Sequence, residues 1–205
     1  MLPGDSPEPG RYKSARVPYF VDVMNAFTDS KIKRLVVKSA SQVGKSEVLL
    51  NVVGRFAHLD PANILIVQPT LSDAEDFSKS RLEKMIKDSK ILTPLFYEKS
   101  KSRDPNQTIL SKFFKGGRII LVGSNSPSGL ASRPIRILLC DEVDRYVPTK
   151  EGDAVDLAEK RTSNFWNKKV ALFSTPATEG LSRIDVEYMF GTQEEWNHRC
   201  PNCAE

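Results

Sequence analysis

The sequence predicts an α/β fold in three layers, with a mostly parallel central sheet covered by helices on both faces. Two observations predict it. Short, almost wholly apolar runs alternate with segments of helical spacing over most of the chain, and a Gly-Lys-Ser turn stands between the first such run and its helix. Buried parallel strands are apolar on both faces and are joined by crossover helices, so this alternation points to βαβ units.

Met1 to Gly10 contains Pro3, Gly4, Pro7, Pro9 and Gly10, a composition that supports neither a helix nor a central strand. Residues 1–17 therefore read as an irregular lead-in. Pro18 suits a first helical turn, after which Phe20, Val21, Met24 and Phe27 fall near one helical face. Arg34 to Lys38 is a short β-branched strand, Gly44 to His58 is helical, and Asn63 to Val67 is a second strand. Leu71 to Lys87 has helical spacing, with Asp73, Glu75 and Asp76 in the early turns where the helix dipole favours acids. Ile109 to Phe114 and Arg118 to Val122 read as strands paired across a Lys115-Gly116-Gly117 turn. Ile135 to Cys140 and Lys169 to Phe173 complete the strand set. Residues 18–192 thus make one domain, and 205 residues suffice for one substantial core but not for two.

Composition narrows the class. With 40% hydrophobic and 27% charged residues, the chain is an ordinary globular protein and disorder is excluded as the whole answer. Three cysteines are too few for a secreted disulfide scaffold, and no apolar run reaches membrane-spanning length, so no membrane partner is expected and a cytoplasmic setting is the default. The net charge of +4 tolerates a polyanion without proving one. The basic surplus between Lys79 and Arg118 reads equally as a phosphate-backbone surface or a solvated charged face.

The turn Ser39-Ala-Ser-Gln-Val-Gly-Lys-Ser46 meets the phosphate-loop pattern G-x-x-x-x-G-K-S/T except at its first position, Ser39. Backbone N–H groups of Ser39, Ala40, Ser41, Gln42, Val43 and Gly44 and the helix end that follows can surround a phosphate. Lys45 can reach the β- and γ-phosphates, and the Ser46 hydroxyl can ligate Mg²⁺. The apolar run Ile137 to Cys140 ends in Asp141 and Glu142, which places two carboxylates at the sheet edge where such folds bind ligands. Asp141 suits Mg²⁺ and Glu142 suits the attacking water. Asp144, the third acid, reads as a surface or hinge residue. Gln68 and Thr70, and Ser174 and Thr175, follow two further strands and line the same edge, as sensors of the γ-phosphate or as helix caps. Arg133, in the polar 125–136 stretch, and Arg161, after a helical segment, are candidates for an arginine that contacts phosphate; a surface salt bridge is at least as good a reading of either. These features together specify a P-loop NTPase of the RecA-like, ASCE type and a Mg²⁺-dependent ATPase.

The residues also resemble a known family, the tailed-bacteriophage terminase large subunit of the lambda-like type. The resembling segments run in family order: Pro18-Tyr19, Val37 to Glu47, Gln68-Pro-Thr70, Gly123-Ser-Asn-Ser-Pro127, Leu139 to Asp144, Gly152-Asp153, Leu157 to Arg161, and Ser174-Thr-Pro176. The resemblance implies an ATP-driven motor that moves double-stranded viral DNA into a procapsid in the host cell cytoplasm. The implied partners are that DNA, other copies of the large subunit in a ring, the terminase small subunit, and the portal and procapsid. It further implies that Arg16 or Tyr19 lies near the adenine, that Ser174-Thr175 couples hydrolysis to movement, and that Arg133 or Arg161 completes a site in cis or from a neighbour. A nuclease domain is expected in the full-length protein. Residues 193–205 read as a truncated linker or the start of a zinc-ribbon-like segment, in which His198, Cys200 and Cys203 supply at most three of four Zn²⁺ ligands, so Zn²⁺ is expected only in the full-length protein. Two other readings share the phosphate chemistry: a helicase-like DNA-remodelling ATPase and a non-hydrolysing, nucleotide-gated assembly module.

Overall fold

The computed structural model describes residues 10–97, 107–126, 129–130, 134–178, 180–197 and 202–203. Strands β1 (Arg34–Lys38), β2 (Ile64–Gln68), β3 (Ser111–Phe114), β4 (Gly117–Gly123), β5 (Ile137–Asp141) and β6 (Lys169–Ser174) form one sheet in the order β1-β6-β5-β2-β4-β3. Every neighbouring pair is parallel except β3 with β4. That exception is the expected hairpin. Gly116 turns it with φ +98°, and a Cβ there would lie 2.7 Å from Pro61, so the turn demands glycine twice over.

Alternation along the strands sorts their side chains into two cores. Leu35, Val37, Ile64, Ile66, Ile137, Leu139, Ala171 and Phe173 face one side. They pack against α1 (Val21–Ala26), α2 (Lys45–His58), α3 (Leu71–Phe77), α4 (Glu83–Asp88) and α5 (Thr93–Phe96), whose buried residues include Val48, Val52, Phe56, Ala74, Ile86 and Phe96. Leu65, Val67, Leu138, Cys140, Val170 and Leu172 face the other side, against Ala154, Val155 and Ala158 of α6 (Ala154–Glu159) and Ile184 of α7 (Arg183–Met189). The result is the three-layer arrangement that the sequence implies.

The lead helix begins as a tight 3₁₀ turn over Pro18–Phe20 before α1; Phe20 at the end of that turn and Phe27 just after α1 are buried. The helix expected over 71–87 is present, but a π-helical turn, Ser78–Leu82, separates α3 from α4. Thr70 starts it through a capping box with Asp73: its hydroxyl accepts from the Asp73 N–H at 3.1 Å, and Asp73 accepts from the Thr70 N–H at 3.2 Å.

Edge strand β1 is covered by α7. Lys38 pairs with Asp185 at 2.7 Å, and Arg34 pairs with Glu187 at 2.8 Å and with Glu159. On the neighbouring strand, Lys169 is buried and points its ammonium at three backbone carbonyls, those of Ala26 (3.2 Å), Asp29 and Ile32. These carbonyls end α1 and lead into β1, so one side chain ties the lead helix to the sheet. Replacing Lys169 with Met keeps the apolar stem and strands the carbonyls. We expect a loss of about 3 kcal/mol in chemical denaturation, on the scale of unpaired buried polar groups.

Candidate functional site

The site is built at the carboxyl ends of β1, β5, β6 and β2. From Lys38 the chain enters the loop 39–44, where Gln42 has φ +61° and Gly44 has φ +99°, and Lys45 opens α2. The Ser39 N–H donates to the Ser174 carbonyl at 3.2 Å, which stitches the loop to the end of β6. At the departing position, the buried Ser39 hydroxyl oxygen has no hydrogen-bond partner among the described residues. Beneath the loop, the Tyr19 hydroxyl donates to the Val43 carbonyl at 3.0 Å, and Phe20 lies 3.9 Å from where a Gly44 Cβ would stand. The lead helix therefore supports the phosphate loop directly.

Because β6 lies between the loop strand and the acid strand, Ser174-Thr175 stands between the loop and the acids. Lys45 is 5% exposed and its ammonium donates to the Ala40 carbonyl at 2.9 Å and to the Thr175 hydroxyl at 2.8 Å. The same nitrogen lies 3.4 Å from Glu142 Oε1, while the Thr175 N–H donates to Glu142 Oε2 at 3.4 Å. Lysine, threonine and glutamate thus form one closed set of contacts.

Asp141 ends β5 and is buried. Its Oδ2 accepts from the Gln68 amide at 3.2 Å, and its Oδ1 has no hydrogen-bond partner among the described residues. Burial pushes the Asp141 carboxyl up to about 6, against the opposing Gln68 hydrogen bond. A buried carboxylate oxygen with no donor is what a cation would satisfy, and Mg²⁺ commonly takes only one or two protein ligands and keeps its waters. Asp141, with Ser46 in the first turn of α2, fits that donor set. The same burial predicts a trade of stability for function. With the native pKa above its usual value, the favourable neutral form is fully present below about pH 4 and is lost as pH rises through about 6. Asp141→Asn should therefore be more stable to chemical denaturation than the parent at pH 8 in EDTA, by up to about 3 kcal/mol, and the gap should close below pH 4.

Glu142 adopts φ +52°, a left-handed conformation that costs a side-chain-bearing residue about 1–3 kcal/mol. The turn after it is held on two sides. The Asp144 N–H donates to Ser174 Oγ at 3.2 Å, and Asp144 Oδ1 accepts from the Ile184 N–H at 2.9 Å. Tyr146 donates to the Val67 carbonyl at 2.8 Å. Asp144 is thus a tether between the acid turn and the start of α7, a hinge-type role with a more specific geometry than sequence spacing could give.

Several expected residues fall elsewhere. Thr70 caps α3, as described. The backbone of Arg161 accepts from the Ile135 N–H at 3.1 Å, at the amino end of β5, so roughly 17 Å of strand separates it from Asp141 and Glu142. It does not join the site of its own chain. Arg133, His198 and Cys200 lie outside the described residues; Cys203 is an exposed free thiol. Among the described residues no three His, Cys, Asp or Glu side chains group as a metal site. Arg16 is exposed in the short turn before Tyr19. In the basic stretch, Lys79 pairs with Glu75, Arg81 with Glu47, and both Lys87 and Lys112 with Glu83. No helix among the described residues is long and apolar enough to cross a membrane.

Comparison with known proteins gives this geometry a family. The model for the ATPase domain of phage terminase large subunit gpA matches residues 6–205. The chain belongs to that family. This gpA-type domain is 28% identical to the terminase large subunit of Enterobacteria phage P21 over 96% of its length and 27% identical to that of Escherichia phage lambda over 100%. It spans only 31% and 32% of those two relatives. The crystal structure of the HK97 bacteriophage large terminase superposes with a TM-score of 0.67 at 11% identity, covering 89% of this chain and 37% of that one, which bears on the fold alone. Membership of the gpA family implies ATPase activity and the use of ATP, and the superposition agrees with the three-layer, mostly parallel α/β fold.

Proposed function

We propose that the chain is the Mg²⁺-dependent, ATP-hydrolysing motor domain of a viral terminase large subunit, which powers movement of double-stranded DNA into a procapsid. The observation that carries this reading is the meeting of Lys45, Thr175 and Glu142, beside buried Asp141 and Gln68, at one sheet edge. The loop N–H groups and the start of α2 bind the phosphates, and Lys45 offsets charge on the transferring group. Glu142 orients the water for in-line attack on the γ-phosphorus and accepts its proton. Asp141 and Ser46 would hold Mg²⁺, which would supply positive charge to offset that of the phosphates.

Thr175 touches both the phosphate-binding lysine and the catalytic acid, so release of phosphate changes its surroundings first. Through Ser174 and Asp144 that change reaches α7, which gives the coupling role of Ser174-Thr175 a physical route. Other copies in a ring, the small subunit, portal, procapsid and DNA are the partners this reading requires. Arg161 would serve as an arginine finger only on a neighbour's site. The basic 79–118 stretch is one candidate for the DNA-gripping surface, and of its described cations Lys79, Arg81, Lys87 and Lys112 are engaged in ion pairs.

Phosphate release from ATP tests the reading, measured with Mg²⁺ or EDTA, on this chain and on the whole protein with DNA and procapsid. Mg²⁺-dependent release that rises with DNA and procapsid is expected. Binding without release in that complete assembly would favour a nucleotide-gated module, and DNA strand separation by this chain would favour a helicase.

A further inference from the structure

Beyond α7 the chain turns back toward the phosphate loop. Tyr188 of α7 lies under Lys38, whose ammonium is 5.5 Å from the ring centroid, and its hydroxyl donates to the Glu194 carbonyl at 3.1 Å. Gln193, at φ +56°, donates through its side chain to the Met189 carbonyl at 3.0 Å. The strap so fixed brings Trp196 against Tyr19: their ring centroids are 6.4 Å apart and the planes meet at 65°. Tyr19 is the residue whose hydroxyl holds the Val43 carbonyl of the phosphate loop.

We propose that Trp196 is a base-contacting residue, and that with Tyr19 it forms an aromatic corner for the purine of the nucleotide. The proposal deepens the ATPase reading and rests on it. Two rings at 65° make an L rather than a closed stack, so a flat base can lay its face on one wall and its edge on the other. Trp196 is half exposed, which leaves ring surface available to a ligand. The corner also lies beside the loop and is fixed to it by a hydrogen bond, so phosphates in the loop and a base in the corner belong to one ligand. Nucleotide occupancy would thereby hold the strap down on the lead helix.

Only two tryptophans occur in the chain, and Trp166 is remote in sequence and 75% exposed. Trp166→Phe therefore leaves Trp196 as a single fluorescent reporter. In that background, MgATPγS should shift or quench the emission, whereas inorganic tripolyphosphate should bind the loop without doing so. Trp196→Ala should weaken ATPγS binding by roughly tenfold, the scale of one lost base stack, and Trp196→Phe should restore most of it. Tripolyphosphate affinity should be the same in all three. Equal loss for ATPγS and tripolyphosphate would overturn the proposal, because it would mean that the strap supports the loop and does not touch the base. Normal ATPγS binding by Trp196→Ala would also overturn it while leaving the ATPase reading intact. Failure of the parent chain to bind ATPγS or tripolyphosphate would remove both.

Discussion

Glu142→Gln should retain ATP and lose turnover, with phosphate release falling by about 10²–10⁴, the range for loss of a general base. The amide preserves length and can still accept from the Thr175 N–H, which reaches Glu142 Oε2 at 3.4 Å. What it lacks is the negative charge that polarises water and takes its proton. Lys45 loses its partner at 3.4 Å in the same substitution, so its charge becomes fully available to phosphate and affinity should hold or rise slightly. Equilibrium binding of ATPγS and steady-state phosphate release, measured on one preparation, separate the two effects. Turnover within threefold of the parent would remove Glu142 from the chemistry.

Lys45→Ala should have the opposite signature. Lys45 is 5% exposed and brings the positive charge that the site sets against the phosphates. Losing one partner of a buried charge pair costs about 2–5 kcal/mol, so ATP affinity should fall at least about 30-fold. The substitution also strands the Ala40 carbonyl and the Thr175 hydroxyl and leaves Glu142 without its ion pair. Thermal unfolding followed by circular dichroism distinguishes a lost contact from a lost fold. Unchanged affinity in a folded variant would mean that the loop binds something other than a polyphosphate.

The contrast between these two residues also shows what was legible in the sequence. Strand runs and the Gly44-Lys45-Ser46 turn carry their structure locally, through apolar composition and glycine, and both are found where they were expected. Glu142 was legible as an acid at a strand end, but its positive φ was not, because no local signal forces a glutamate into that conformation. The sequence leaves Asp144 as a surface or hinge residue: its partners are Ser174 and Ile184, and backbone N–H groups and hydroxyls far along the chain leave no pattern in sequence. Arg161, after a helical segment, was a candidate for a phosphate-contacting arginine or for a surface salt bridge, and its sequence position could not say which end of the sheet it occupies. Sheet direction placed it at the other end of β5. Trp196 gave no motif at all, since its meeting with Tyr19 depends on how the strap folds back over β1.

The order of the strands has a consequence for how the domain comes into being. β1 carries the phosphate loop, yet its sole strand partner among the described residues is β6, with Arg34 opposite Val170 and Lys38 opposite Ser174. A ribosome releases the loop early and its mate late, and pairings so distant in sequence form slowly. The loop segment must therefore wait for residue 174 before its strand can be hydrogen-bonded into the sheet. During synthesis, ATP binding should be acquired in one step once β6 has emerged, so nascent chains that stop before β6 would bind none.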